Sequence, residues 1–297
     1  MRRQSPTVRL RRLARLLREL READGRSADM IARECGWHSA STLTRMENGK
    51  MSKPQVSRVS RLLDVYGVSG EAREEILELV QDARRRGWWH SYPCLGEQYA
   101  TYIGLEDEAT NLRNFEPLLI PGLLQTPGYA RTLITSRAPD LPDDVVDDLV
   151  DIRTRRQERL HGGARLWAVI GEGALRQVVG GPEVMHAQLR HLHQMAQLPD
   201  VHVQVVPFSR GVVPALGPFM ILTFDDPDDP EVVYVETPVG DYWVEDPGSV
   251  AVFAESYERL VGVGLSTDAT LSMIADAAAR LTRGDADAPS GLAEGQP

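Results

Sequence analysis

The residues best placed to do chemistry lie between positions 27 and 49, in the run SADMIARECGWHSASTLTRMENG. Ile31, Ala32 and Cys35 recur along one helical face, Gly36 permits a sharp turn, Ser39 is placed to cap a second helix, and Leu43 and Met46 give that helix an inward stripe. Ala40, Ser41, Thr42 and Arg45 are left facing outward. Small polar side chains beside one arginine suit the edge of a base pair in the DNA major groove, where Arg grips guanine through two hydrogen bonds and Ser or Thr bonds to either base. Ser39 and these four are therefore the expected base-facing set. Two roles stay open for Arg45: it reads a base directly, or it is fixed against Glu47 and a phosphate. The bland alternative is an ordinary helical hairpin inside a bundle.

The elements that must hold this run carry a family likeness. The first 66 residues resemble the XRE-type (lambda repressor/Cro-like) helix-turn-helix domain, with a leading helix near 10–23, the pair above, and a fourth helix over 54–66. The likeness is close at Arg45-Met46-Glu47-Asn48-Gly49-Lys50. It departs at Ala28, where family members carry a Gln that helps hold a phosphate, and at Trp37-His38-Ser39, which runs one residue longer than usual. The resemblance implies double-stranded DNA as a partner. It also implies that Asn48, Lys50 and Lys53, just past the recognition helix, lie along the phosphate backbone and position the head without reading sequence.

Charge agrees with that reading. Residues 1–63 hold 15 Lys or Arg against 6 Asp or Glu, a net of +9, whereas the whole chain is at -10, so the remainder carries -19. A basic head on an acidic body binds a polyanion through released counterions while the body resists sticking elsewhere. Lys50 and Lys53 are the only lysines in the chain, which reads as the codon bias of a GC-rich bacterium.

A chain of 297 residues that is 42% hydrophobic has room for a second domain with its own core. It lacks any run of 18 apolar residues, and its first twenty residues lack the apolar segment of a secretion signal, so no membrane association and a cytoplasmic location are expected. Cys35 and Cys94 are expected as free thiols. The expected organisation is a head over 1–70, a linker helix and aromatic junction over 71–97, a signal-receiving or partner-binding domain over 98–282, and a disordered tail over 283–297. The aromatic junction is Trp88-Trp89-His90-Ser91-Tyr92.

In the second domain, 166–170, 201–207, 219–224 and 232–236 are short β-branched or aromatic runs bounded by Gly, Pro and Asp, and 242–244 adds a fifth candidate strand. Helical patterns cover 143–160, 182–196 and 247–265. The fold class is therefore multidomain, an all-α helix-turn-helix head followed by a mixed α/β carboxy-terminal domain. Phrases such as Phe115-Glu116-Pro117, Ile120-Pro121-Gly122-Leu123-Leu124-Gln125-Thr126, Val179-Gly180-Gly181-Pro182 and Val205-Val206-Pro207-Phe208 resemble the carboxy-terminal domain of the WhiJ-like, antitoxin-like group of actinobacterial regulators. That likeness implies a regulator.

Catalytic chemistry has no positive signal. His186, His191 and His193 share one expected helix at offsets that do not stack as metal ligands would, so solvated histidines are expected. The run 225–229 lacks the spaced oxygens of a calcium loop and reads as a charged turn. Neither Gly-Gly pair sits in a phosphate-binding motif, and no serine lies in a nucleophile elbow. No enzyme activity, cofactor or metal is expected. Glu172 and Glu236 fall at strand ends and, with Phe208, mark where a ligand pocket could form. The resulting expectation is a homodimeric, sequence-specific DNA-binding regulator. Its second domain senses a ligand, or alternatively binds a small partner protein in the manner of an antitoxin.

Overall fold

Helix follows helix through the first part of the chain. A computed structural model describes residues 6–49, 54–84, 87–211, 217–226, 229–237 and 239–283, which fall into two units dividing between Glu108 and Ala109. Lys50, Lys53 and the tail from 284 onward lie outside the described residues.

The first unit contains α1 (Pro6–Asp24), α2 (Ala28–Glu34), α3 (Ser41–Glu47), α4 (Val56–Val65), α5 (Glu71–Asp82), a 3-10 turn at Trp88–Ser91, and α6 (Glu97–Glu108). Their inward stripes meet in one core. Leu13 and Leu17 come from α1, Ile31 from α2, Leu43 and Met46 from α3, and Val59, Leu62 and Leu63 from α4. Each such side chain contributes about 1.5 to 3 kcal/mol when removed from water. The segment expected as a linker helix is part of this core, because Ile76 and Val80, four residues apart on α5, pack with it while α5 lies on α1 and α4. Trp89 is fully buried, its ring edge-on to Trp88 at 5.8 Å, and the turn that carries it packs on α6.

The second unit is built on a sheet. Its described strands are β1 (Asn111–Glu116), β2 (Arg165–Gly171), β3 (Val201–Val206), β4 (Phe219–Thr223), β5 (Val232–Thr237) and β6 (Gly240–Val244), in the order β3-β2-β1-β4-β5-β6. The strands β1, β2 and β3 are parallel, and β4 to β6 continue from β1 antiparallel. The crossover from β1 to β2 contains α7 (Pro127–Arg137), α8 (Asp143–Arg156) and α9 (Glu158–His161). The next contains α10 (Gly173–Arg176) and α11 (Pro182–Met195), and α12 (Pro247–Val263) and α13 (Thr267–Arg283) close the unit. All-α head and mixed α/β second domain are thus the architecture of the chain.

Phe115, Val169, Val206, Phe219, Ile221 and Val233 line one sheet face and bury against Val250, Tyr257 and Leu260 of α12. The alternate residues Leu112, Ala168, Ile170, Val203, Val205 and Leu222 are just as buried, so the other face is covered as well. There α13 packs on β3, and α11 on α13. The outer edge of β3 is closed too: the Val205 N–H donates to Thr270 Oγ1 at 3.2 Å and the Leu265 N–H to the Val205 carbonyl at 2.9 Å.

β1 lies outside the expected strands. Asn111, Arg113, Asn114 and Glu116 break its apolar run, yet it sits centrally because Leu112 and Phe115 are fully buried and Asn114 Nδ2 donates to the Phe219 carbonyl at 3.0 Å.

Candidate nucleic-acid interface

Ser27 opens α2 as a true cap, its hydroxyl accepting from the Met30 N–H at 3.3 Å. Gly36, at φ +73°, then turns the chain where a side chain would be strained. Trp37 packs against the helical core, with its N–H on the Ala32 carbonyl at 2.8 Å. The expected cap on the next helix is different. Ala40, already in helical geometry, occupies the cap position of α3 without a side-chain bond, and the Ser39 hydroxyl instead pairs with that of Ser41 at 2.7 Å.

α3 buries Leu43, Met46 and Glu47 and turns the rest outward. Ser39, Ser41, Arg45 and Asn48 are exposed, while Ala40 and Thr42 are half-buried. Thr44, which the sequence reading did not single out, is exposed as well. Its spacing from Ser41 was the available signal, since Ser41, Thr44, Arg45 and Asn48 stand at i, i+3, i+4 and i+7 on one helical face.

Arg45 makes no hydrogen bond or ion pair within the described residues, and Glu47 is engaged elsewhere. Arg21 Nε reaches Glu47 Oε1 at 2.7 Å, with the Glu47 side chain only 7% exposed. That bond, ahead of any other cause, raises the Arg21 pKa. Arg18 donates to the Glu47 carbonyl at 2.8 Å and to Asn48 Oδ1 at 3.0 Å, and Asn48 Nδ2 donates to the Thr44 carbonyl at 2.7 Å. Two arginines of α1 therefore hold the end of α3, and Asn48 uses both ends of its amide inside the domain. A second clamp joins the helices behind: Arg26 pairs with Asp24 and Glu34 and donates to the Val65 carbonyl at 3.0 Å.

In the second unit, the three residues expected near a pocket separate. Glu172 is buried with both oxygens engaged, Oε1 accepting from Arg176 Nε at 2.6 Å and Oε2 from the Phe208 N–H at 2.8 Å. Phe208 is 62% exposed, and the Arg176 guanidinium lies 5.9 Å from its ring centre. Glu236 is three strands away, about 14 Å at the usual strand spacing, and pairs with Arg137. So Glu172 and Phe208 belong together and Glu236 belongs to another group.

That other group escaped the sequence reading. Asn114 and Glu116 share the sheet face opposite α12, Arg153 of α8 acts on Glu116, and Arg153 Nη1 donates to Gln125 Oε1 at 2.8 Å. Gln125 Nε2 bonds the Ile120 carbonyl at 2.7 Å, and the Tyr129 hydroxyl accepts from the Ile120 N–H at 3.2 Å. Gln188 of α11 bridges the Thr126 N–H and the Leu124 carbonyl. The loop after β1 is thus pinned at almost every turn.

The histidines are not simply solvated. His186 Nδ1 lies 3.0 Å from the Ala278 carbonyl of α13, and His191 is half-buried with Nε2 enclosed and unpartnered among the described residues, and burial lowers its pKa. Among the described residues no group of His, Cys, Asp or Glu could hold a metal ion, and no helix is long and apolar enough to cross a membrane.

Two family models match the chain. One, described as a domain of unknown function (DUF5753), covers residues 99–276, and the other, described as a helix-turn-helix domain, covers residues 12–76. No curated protein and no solved structure matches it.

Proposed function

Because the chain belongs to the DUF5753 family and carries a helix-turn-helix domain ahead of it, we propose that it is a sequence-specific, DNA-binding transcription regulator working as a homodimer on operator DNA. The observation that carries this reading is the exposed stripe of Ser41, Thr44 and Arg45 on a helix whose inner side is fully packed and whose end is clamped by Arg18 and Arg21. Such a helix is rigid, narrow and ends in a free guanidinium, which is what base-edge reading needs. Ser39, Ala40 and Thr42 flank the stripe. Lys50 and Lys53 add phosphate contacts, whereas Asn48 acts mainly by closing α3.

In this reading the protein acts in the cytoplasm, needs no cofactor, catalyses no reaction, and uses its second unit to receive a signal. That signal is a ligand or, in the alternative reading, the small protein partner of an antitoxin-like regulator.

The test begins with selection of binding sequences from a random duplex pool by the full chain. Arg45→Ala should then cost about 1 to 3 kcal/mol on the selected duplex, by fluorescence anisotropy, and little on a scrambled one. Equal losses on both would make Arg45 a phosphate contact. Failure to enrich any sequence would sink the regulator reading.

A further inference from the structure

The parallel strands β1, β2 and β3 end on the same side of the sheet, and the three segments that leave them there meet. Leu118 follows β1, Gly173 opens α10 just after β2, and Phe208 follows β3. A Cβ on Gly173 would stand 3.0 Å from Leu118 Cδ2 and 3.7 Å from Phe208 Cζ, so the two side chains flank one notch whose floor is a glycine. Gly173 itself is buried, while Leu118 is 60% and Phe208 62% exposed.

Exposed apolar side chains are ordinary when they stand singly. These two are contiguous, and they are held in place. The Phe208 N–H donates to Glu172 Oε2 at 2.8 Å, the Arg176 guanidinium lies 5.9 Å from the Phe208 ring centre, and Arg176 Nε is fixed on Glu172 Oε1 at 2.6 Å. Leu118 stands on the loop that Gln125, Tyr129 and Gln188 pin. A buried carboxylate and its arginine thus keep an aromatic ring facing water, and an apolar pair ordered in advance loses little freedom when it is covered.

Charge indicates what covers it. The chain after position 63 carries -19, so two copies repel over most of that surface. The notch is an exception. Glu172 and Arg176 cancel each other there, and Arg210, exposed two residues past Phe208, has no side-chain hydrogen bond or ion pair among the described residues. An acidic body is therefore met at this place by apolar groups with one positive group beside them.

We infer that Leu118 and Phe208 form the centre of the contact between two copies of this chain, each ring covered by the other copy's patch across a two-fold axis. The surface is small. A Phe side chain buries about 150 to 250 Å² at most, so two rings and two leucines supply the dry core of an interface near the lower end of the standard size, about 1,200 Å². Dissociation is accordingly expected on the order of micromolar. The inference rests on the homodimer of the proposed function and names the surface that makes it.

Sedimentation velocity of the full chain between about 1 and 100 µM tests it, and the wild type should pass from monomer to dimer over that range. Phe208→Ala and Leu118→Ala should each weaken dimerisation about tenfold or more, while leaving the thermal melting of the dilute chain unchanged, since neither side chain is in the core. Val252→Ala, where the side chain is also 62% exposed but lies on α12, should leave dimerisation alone. Phe208→Glu and Phe208→Lys should each be monomeric. An equimolar mixture of the two should associate more tightly than either alone, because an isologous contact brings the substituted sites together. A wild type still monomeric at the highest concentration, a dimer untouched by both alanines, one weakened equally by Val252→Ala, or a mixture with no gain would each overturn the inference. Selection of a binding duplex is scored separately: a chain that enriches a duplex and dimerises elsewhere keeps the regulator reading and sinks this surface, and a patch-dependent dimer that enriches none does the reverse.

Discussion

Glu116 sits where burial and charge pull its carboxyl in opposite senses. Burial, and then the negative charge of Glu236 on β5, push its pKa from the ordinary range up to about 8, while Arg153 of α8 draws it back. Tyr129 of α7 is the other titratable group affected, its own pKa raised first by burial and partly by Glu116. The sign follows from linkage. With the folded pKa above the unfolded value, the folded chain holds a proton that the unfolded chain releases between about pH 4.5 and 8, so this stability is present below that window and lost as pH rises through it. The wild type should therefore lose stability from pH 5 to 9 relative to Glu116→Gln, by up to a few kcal/mol, on the order expected for a half-buried acid. Denaturant midpoints of the two chains along that series check it, and parallel curves would remove Glu116 as the cause. Little of this was legible in the sequence. Phe115-Glu116-Pro117 stood out only as a family phrase, because nothing in a linear run shows that Asn114, two residues earlier, is buried on the same strand face. Arg45 was easier to read, since helical spacing alone turns it outward. That Glu47 is closed to Arg45 depends on Arg21, twenty-six positions earlier, and no local pattern carries that.

At the scale of elements, β2 and the loop after β1 come together at a point where only glycine fits. A Cβ on Gly171 would run into the Pro117 carbonyl oxygen, a backbone atom that cannot swing aside as a side chain would. Gly171→Ala should therefore cost about 1 to 3 kcal/mol, as overpacking does, and should disturb the pinned loop that frames Asn114 and Arg153. Chemical denaturation of the full chain measures the first effect, and amide hydrogen exchange of the loop after β1 reports the second. An unchanged midpoint would mean that the loop relaxes freely. The strands β2 to β5 were readable because β-branched residues fill them between Gly, Pro and Asp. β1 was hidden by its polar residues, each of which has a use that only the assembled sheet reveals: Arg113 pairs with Glu231 at 2.7 Å, Asn114 reaches β4, and Glu116 ends beside α8. The cap on α3 failed for a different reason. A serine before a helix is a fair cap signal, but here the chain enters helical geometry one residue early, at Ala40, and the Ser39 hydroxyl turns to Ser41.

For the whole molecule, the charge count is the feature most directly read from the sequence, and it bears on how the chain meets DNA. One α3 touches too few bases for selectivity, so the proposed dimer sets two of them about 34 Å apart on one face of the duplex. A duplex with two half-sites one turn apart should then bind the full chain far more tightly than one half-site, and a half-turn insertion should abolish the gain. Sedimentation of the free protein alongside this series decides the matter: a monomer indifferent to spacing would refute the dimer. The clamp at the end of α3 has a further kinetic meaning. Contacts to phosphate are loosened by salt, but the Arg21 bond to Glu47 is part-buried, with the carboxylate only 7% exposed, and is screened less. In the proposed regulator the head then leaves the duplex in the shape in which it arrived, with no refolding step before its next encounter. Its time on any one stretch of DNA is then governed by the return of counterions, which suits the operator-seeking role proposed for it, where many wrong sites are sampled before a right one.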